Sequence, residues 1–278
     1  MNRMQTLFAL SLAACLPLLS ACNDSGKTAW TSVAEDCAVS DLNGKKILFF
    51  GPSNVLGPGS IWRQPSAENG GGYRVRYKSD AIPNQSSWSS SGGDFACQGN
   101  RTTTLTGGAT AGFASDLAPL SAETKADFER AKTAEIKVQK MRWDMLLEGP
   151  FENAILALPA DNSVRQDLTK PGRYILYRAL KVQGFEAKLS FDTKTGAELQ
   201  SKYTGGALKS VNGEFGAGLS FKWLNESELV ISAPNDFYIA GELVRFESGG
   251  GFANAGKSRF SPPVDVVPGS KLSVENPS

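Results

Sequence analysis

The chain has 278 residues, 41% of them hydrophobic, with 29 Lys and Arg against 28 Asp and Glu and no histidine at all. The near-neutral balance argues against nucleic acid as a partner, since that surface rewards clustered Lys and Arg. The missing histidine excludes Ser-His-Asp and Cys-His catalysis, histidine-based zinc sites, and the one side chain whose ordinary pKa lies near neutrality.

The N-terminus reads as an export signal. Arg3 is the only charged residue in the first 22, and Leu7 to Leu19 is apolar apart from Ser11. That run is shorter than the roughly 20 apolar residues a membrane-spanning helix needs, and it matches the hydrophobic region of a secretory signal. It closes on Leu19-Ser20-Ala21-Cys22. This resembles the lipobox of bacterial lipoproteins, in which Leu and two small residues precede a cysteine. The resemblance covers the targeting segment only. It implies diacylglycerol attached through a thioether to the Cys22 sulfur, cleavage before Cys22, acylation of the new amine with a chain such as palmitate, and residues 1–21 removed as a signal peptide. An ordinary signal cleaved near Ala21 is the competing reading. In the best-known sorting rule, Asp directly after the cysteine holds a lipoprotein in the inner membrane. Asn23 stands there, with Asp24 one place later, so the outer membrane is the expected destination and the inner membrane the alternative. Residues 22–32 read as a polar lipidated tether, keeping the folded part close to the membrane.

Residues 22–278 suffice for one large domain or two small ones. Apart from Cys22 they contain Cys37 and Cys97. An exported chain meets an oxidising compartment, where such a pair favours a disulfide; two buried free thiols are the alternative. Closing a loop of that length contributes about 4 kcal/mol in the chain-entropy model.

Lys45–Phe50, closed by Gly51-Pro52, suits a strand, and Ser60–Arg63 starts another. From Tyr73 to Lys78 aromatic and β-branched residues alternate with Arg74, Arg76 and Lys78, which puts the two sets on opposite faces. Residues 84–108 are rich in Ser, Gly and Thr and read as loop with short strands at most. Ser121 is placed to cap a helix over 122–132, and Ala134, Ile136 and Val138 alternate as a strand. A second helix is expected from about 151 to 158, with Pro150 in its first turn and Pro159 after it. Residues 174–192 form two strands bent near Gly184, and 192–196 reads as a hairpin turn. A strand through Leu219, Phe221 and Trp223 turns at 224–227 and returns over 228–232, and 237–246 is the last strand. The segment 249–278 reads as a flexible tail containing glycines and prolines. Together these predict an α+β fold, a largely antiparallel β-sheet with one or two covering helices, in a single domain over 33–248.

No pattern for a cofactor or metal is found. Gly213–Gly218 lacks dinucleotide-binding spacing and leads into a strand, and Gly57-Pro58-Gly59-Ser60 is no phosphate loop. Asp80, Asp94, Asp116, Asp144, Glu148, Asp161 and Asp236 fall near loops or element ends, where surface charge is the ordinary reading. Trp62, Arg63, Tyr73, Arg74, Arg76 and Tyr77 form the nearest thing to a ligand patch, because arginine among aromatics binds anions or sugars by forked hydrogen bonds and stacking. An edge strand with a basic solvent face and an aromatic core face explains the same pattern. The expectation is a membrane-tethered, non-catalytic binding or assembly protein of the cell envelope, touching lipid through Cys22 and possessing an envelope protein partner. The alternatives are an envelope glycan hydrolase working with a carboxylate pair and an immunity protein that neutralises a toxin.

Overall fold

In the computed structural model the described residues are 22–64, 72–97, 102–117, 122–168, 170–203, 218–246, 260–266 and 271–274. The export signal, the glycines at 213–217 and 249–251, and Ser121 lie outside them. The fold is α+β and mainly antiparallel, as the alternating segments predict. Its strands make two sheets. The larger runs β1 (Ile47–Ser53), β12 (Phe237–Val244), β8 (Arg173–Gln183), β2 (Ile61–Arg63), β3 (Gly72–Tyr77), β13 (Lys271–Val274), with β7 (Lys140–Leu146) and β4 (Ser89–Ala96) branching off β8. The smaller runs β10 (Ser220–Asn225), β11 (Glu228–Ser232), β9 (Glu186–Ser190), β6 (Thr133–Lys137), β5 (Thr103–Thr106).

Strand β8 is the trunk of the larger sheet. One of its edges bonds β12 along most of its length; the other is shared, Arg173–Ile175 pairing β2 and Arg178–Gln183 pairing β7. The chain passes between the two sheets four times, and two of these crossings lie side by side. β8 passes into β9 at Gly184, whose φ of 62° is open to glycine at little cost, and β6 passes into β7 beside it. The Gln139 N–H donates to the Gln183 carbonyl at 3.1 Å across this double bend. Burial follows the alternation: Leu229 and Ile231 of β11 and Ala187 and Leu189 of β9 are fully buried while their neighbours are not.

Seven helices cover the sheets among the described residues, more than the one or two expected. α1 (Cys22–Asp36) packs on α3 (Gly108–Leu117), with α4 (Ala122–Phe128) and α7 (Thr193–Tyr203) beside the smaller sheet; α2 (Gln85–Trp88), α5 (Glu148–Ala157) and α6 (Ser163–Leu168) lie over the larger one. The polar tether expected over 22–32 is therefore the start of α1, and the folded unit begins before residue 33. Ala29, Trp30, Val33 and Ala34 make one buried stripe at helical spacing. The Trp30 ring lies 5.4 Å from Phe113, 5.7 Å from Phe185 and 5.9 Å from Phe237. The turn expected at 192–196 is instead a helix start. Asp192 accepts the Thr195 N–H at 2.9 Å and its hydroxyl at 2.7 Å, the geometry of an N-cap.

The region expected as a tail is also part of the fold. Phe260 is buried against Phe151, Tyr177 and Phe246; the Val264 N–H donates to the Leu243 carbonyl and the Val266 N–H to that of Lys45. Residues 271–274 then pair with β3 in parallel. The stretch 84–108, expected as loop, supplies α2, β4, β5 and the start of α3. No helix among the described residues is long and apolar enough to cross a membrane.

Candidate functional site

Cys37 and Cys97 are joined as a disulfide that ties the end of α1 to the end of β4. Cys37 is buried in the main core, and the Cys97 sulfur closes that core from the side of the larger sheet. Cys22 is the first residue of α1.

The patch read from residues 62–77 divides by face. Trp62 and Tyr73 are fully buried, the Trp62 indole N–H donating to the Ser60 hydroxyl at 2.9 Å and the Tyr73 ring meeting Tyr174 at 5.9 Å. They belong to the core and present no ring for a ligand to stack on. Tyr77 packs with the cluster under α5 and α6, and the Arg76 guanidinium sits 5.8 Å from its centroid. β3 is not an edge strand: β2 bonds one side and β13 the other.

The arginines on the opposite face come together with residues from far along the chain. Arg63 of β2 stands directly across from Arg74 of β3 on one side and from Arg173 of β8 on the other. Residues directly opposite in an antiparallel pair share a face, so three arginines form one row across three adjacent strands. All three are half-buried. Beside the row α6 delivers Asp167, a carboxylate 1% exposed. Asn162 caps this helix, accepting the Val164 N–H at 2.9 Å. Arg173 grips Asp167 with a two-pronged contact, Nε to Oδ2 at 2.8 Å and Nη2 to Oδ1 at 2.9 Å. Arg76 Nε reaches Oδ2 at 3.3 Å and Lys170 Nζ reaches Oδ1 at 3.2 Å. Burial pushes the Asp167 pKa up, but hydrogen bonds from Arg173 and Lys170 and the charges of Arg173 and Arg76 outweigh it and hold the carboxyl down at about 2. Asp167, Lys170 and Arg173 were not among the residues singled out in the sequence, since only the β2–β8 pairing brings them to Arg63.

The acids show what the fold does with carboxylates. Asp144 lies mid-strand in β7, buried rather than near a loop, and takes the Tyr238 hydroxyl at 2.7 Å, Lys181 at 2.9 Å and Arg142 at 3.0 Å. Burial raises its pKa, and these partners lower it by more. Glu242 is forked onto Arg178, at 2.8 and 2.9 Å, and Arg178 also meets Asp41 at 3.0 Å. A glycan hydrolase needs one acid held protonated near neutral pH. Asp116, in the last turn of α3, is pushed up to about 7 by burial, with Lys125 pulling the other way. Its Oδ2 is sealed and without a hydrogen-bond partner, under α1 at Gly26. That acid faces a helix, not a cleft. A groove of about 550 Å³ between α2 and α5 is lined by Pro83, Asn84, Ser87, Pro150, Asn153 and Leu158, without a charged side chain.

No protein-family model matches the chain, and no curated protein matches it. Among solved structures, a bacterial gasdermin from Bradyrhizobium tropiciagri is similar at 12% identity with a TM-score of 0.44, over 86% of this chain and 97% of that one.

Proposed function

We propose that this protein is an exported, lipid-anchored protein of the cell envelope with a non-catalytic binding or assembly role. Its attachment is the acylated Cys22, its expected address the periplasmic face of the outer membrane. The observation that carries the reading is the Cys37–Cys97 disulfide, because such bonds persist in oxidising compartments and are rare in a reducing cytosol. The lipobox resemblance supplies the anchor itself, and more than one acyl chain would hold it, at about 0.8 kcal/mol per buried methylene. The binding role draws support from the acids: the buried ones lie in ion pairs or, for Asp116, beneath a helix.

The test is labelling with radioactive palmitate followed by membrane fractionation, comparing wild type with Cys22→Ser. The expected result is label and membrane retention in the wild type and neither in the variant. An unlabelled wild type, or a variant equally retained, overturns the anchor. Cleavage of purified peptidoglycan by the wild-type protein overturns the non-catalytic role.

A further inference from the structure

We propose that α1 is a proton-controlled latch, whose N-terminal half is seated on α3 in acid and lifts from it toward neutral pH, turning about the Cys37–Cys97 disulfide. This goes beyond the envelope reading and stands whether or not Cys22 is acylated.

Four buried side-chain polar atoms among the described residues lack a hydrogen-bond partner. Three of them belong to this one helix pair: Trp30 Nε1 of α1, and Thr110 Oγ1 and Asp116 Oδ2 of α3. Buried polar groups left unpaired weaken the packing that encloses them. What holds the pair is apolar, the stripe Ala29, Trp30, Val33 and Ala34 with the Trp30 ring against Phe113.

The two ends of α1 are secured differently. Its C-terminal end runs into Cys37, whose disulfide fixes it beside the end of β4. In its middle, the Thr31 hydroxyl meets the Asn43 amide oxygen at 3.1 Å. Gly26, in the N-terminal half, rests on the Asp116 carboxylate, whose Oδ2 has no partner there. The disulfide and Thr31 mark the fixed side of the helix, and Gly26 the side that can lift.

Part of the Asp116 residue meets solvent, but Oδ2 does not, and it is Oδ2 that α1 covers. Asp116 is the only charged residue of α3. From α4, Lys125 favours its ionised form, while Glu123 and Asp127 are engaged by Lys202. On α1, Lys27 follows Gly26, Glu35 is exposed and Asp36 accepts the Thr103 hydroxyl. On β6, Glu135 pairs with Lys188 and Lys137 is exposed; β1 and β5 carry no charged side chain. Burial, with the C-terminal end of α3 beside it, outweighs Lys125 and keeps the carboxyl protonated in the closed latch, pushed up to about 7. Lifting α1 returns the carboxyl to water, where it ionises at ordinary values and releases its proton. Acid therefore holds the latch shut, and rising pH favours opening until the closed form is itself ionised.

The test is amide hydrogen exchange on the full chain, purified in detergent, from pH 5 to 8. It is read as protection factors, which remove the intrinsic pH dependence of exchange. Protection of Lys27–Trp30 is expected to fall about tenfold from pH 5 to 6, one proton leaving per opening, and to level off above about 7, while β8 keeps its protection. Asp116→Asn is expected to abolish this fall. Lys125→Gln is expected to move the level region to higher pH and leave β8 unchanged. Wild-type α1 protection that is independent of pH overturns the proposal, as does a fall shared by β8 or one that persists in Asp116→Asn. If Asp116→Asn is unfolded, the Lys125→Gln profile decides: a shift to higher pH supports the latch, and an unchanged profile overturns it.

Discussion

Gly26 of α1 lies directly over the carboxylate of Asp116 in α3, so close that a methyl group at position 26 would overlap Oδ2. Gly26→Ala therefore forces either the Asp116 carboxylate or the first turns of α1 to shift. The expected cost is about 1 to 3 kcal/mol, the usual range for overpacking a filled interface. Hydrogen exchange should rise at the amides of Lys27–Trp30 while the amides of β8 keep their protection. Uniform loss of protection in both would show that α1 does not move as a separate unit.

The same carboxylate makes stability depend on pH. Its folded pKa of about 7 is above the ordinary 3.8, so the folded chain keeps a proton that the unfolded chain releases. The stabilisation is complete below about pH 4 and is lost as pH rises through 7. The difference corresponds to about 4 kcal/mol at most. Urea midpoints measured from pH 4 to 8 should fall with rising pH, and Asp116→Asn should flatten that slope. An unchanged slope in the variant would assign the dependence to another group.

Asp167 acts with the opposite sign. Its folded pKa is depressed to about 2, so its contribution is present above about pH 4 and lost as pH falls through 2. Asp167→Asn leaves Arg173 and Lys170 without their carboxylate and costs about 3 to 5 kcal/mol, as for other broken buried pairs. Equilibrium denaturation at pH 7 measures this. A loss under 1 kcal/mol would mean that the arginines find another partner at once.

Reducing the disulfide, or replacing Cys37 and Cys97 together by serine, releases a loop of 60 residues. The expected loss is about 4 kcal/mol, read as a lower thermal midpoint. Because the bond holds the C-terminal end of α1, the α1–α3 contact should loosen before the larger sheet does. Hydrogen exchange at the amides of α1 and of β8, followed with rising temperature, separates the two events; a single coincident loss of protection would contradict that order.

Period-two segments were the legible part of this fold. Tyr73–Tyr77, Ala134–Val138, 174–190 and 228–232 all form strands near their expected bounds, and the bend at Gly184 falls where the glycine marked it. The helices were harder. α1 has a polar first half, and its apolar stripe Ala29-Trp30-Val33-Ala34 straddles a boundary drawn from composition. Asp192-Thr193-Lys194-Thr195-Gly196 has turn composition, yet the aspartate caps a helix, a role that composition shares with turns. The last residues are rich in proline but carry Phe260, Val264, Val266 and Leu272, spaced for docking on surfaces made elsewhere. The arginine row was half visible. Alternation put Arg74 and Arg76 on one face, while the pairing of Arg63 with Arg173, 110 positions later, is a matter of sheet register that no local pattern encodes.

The order in which the larger sheet is assembled has its own consequence. Ile47 in the first strand pairs with Glu242, and Tyr73 in β3 pairs with Leu272. Each of these edge pairings joins residues more than 190 positions apart. Contacts this distant in sequence are slow to form, because the entropy of closing so long a loop comes before any gain from pairing. The β4–β7–β8 part of the larger sheet and the whole smaller sheet need nothing beyond residue 232, so they can pair before β12 and β13 dock on the edges.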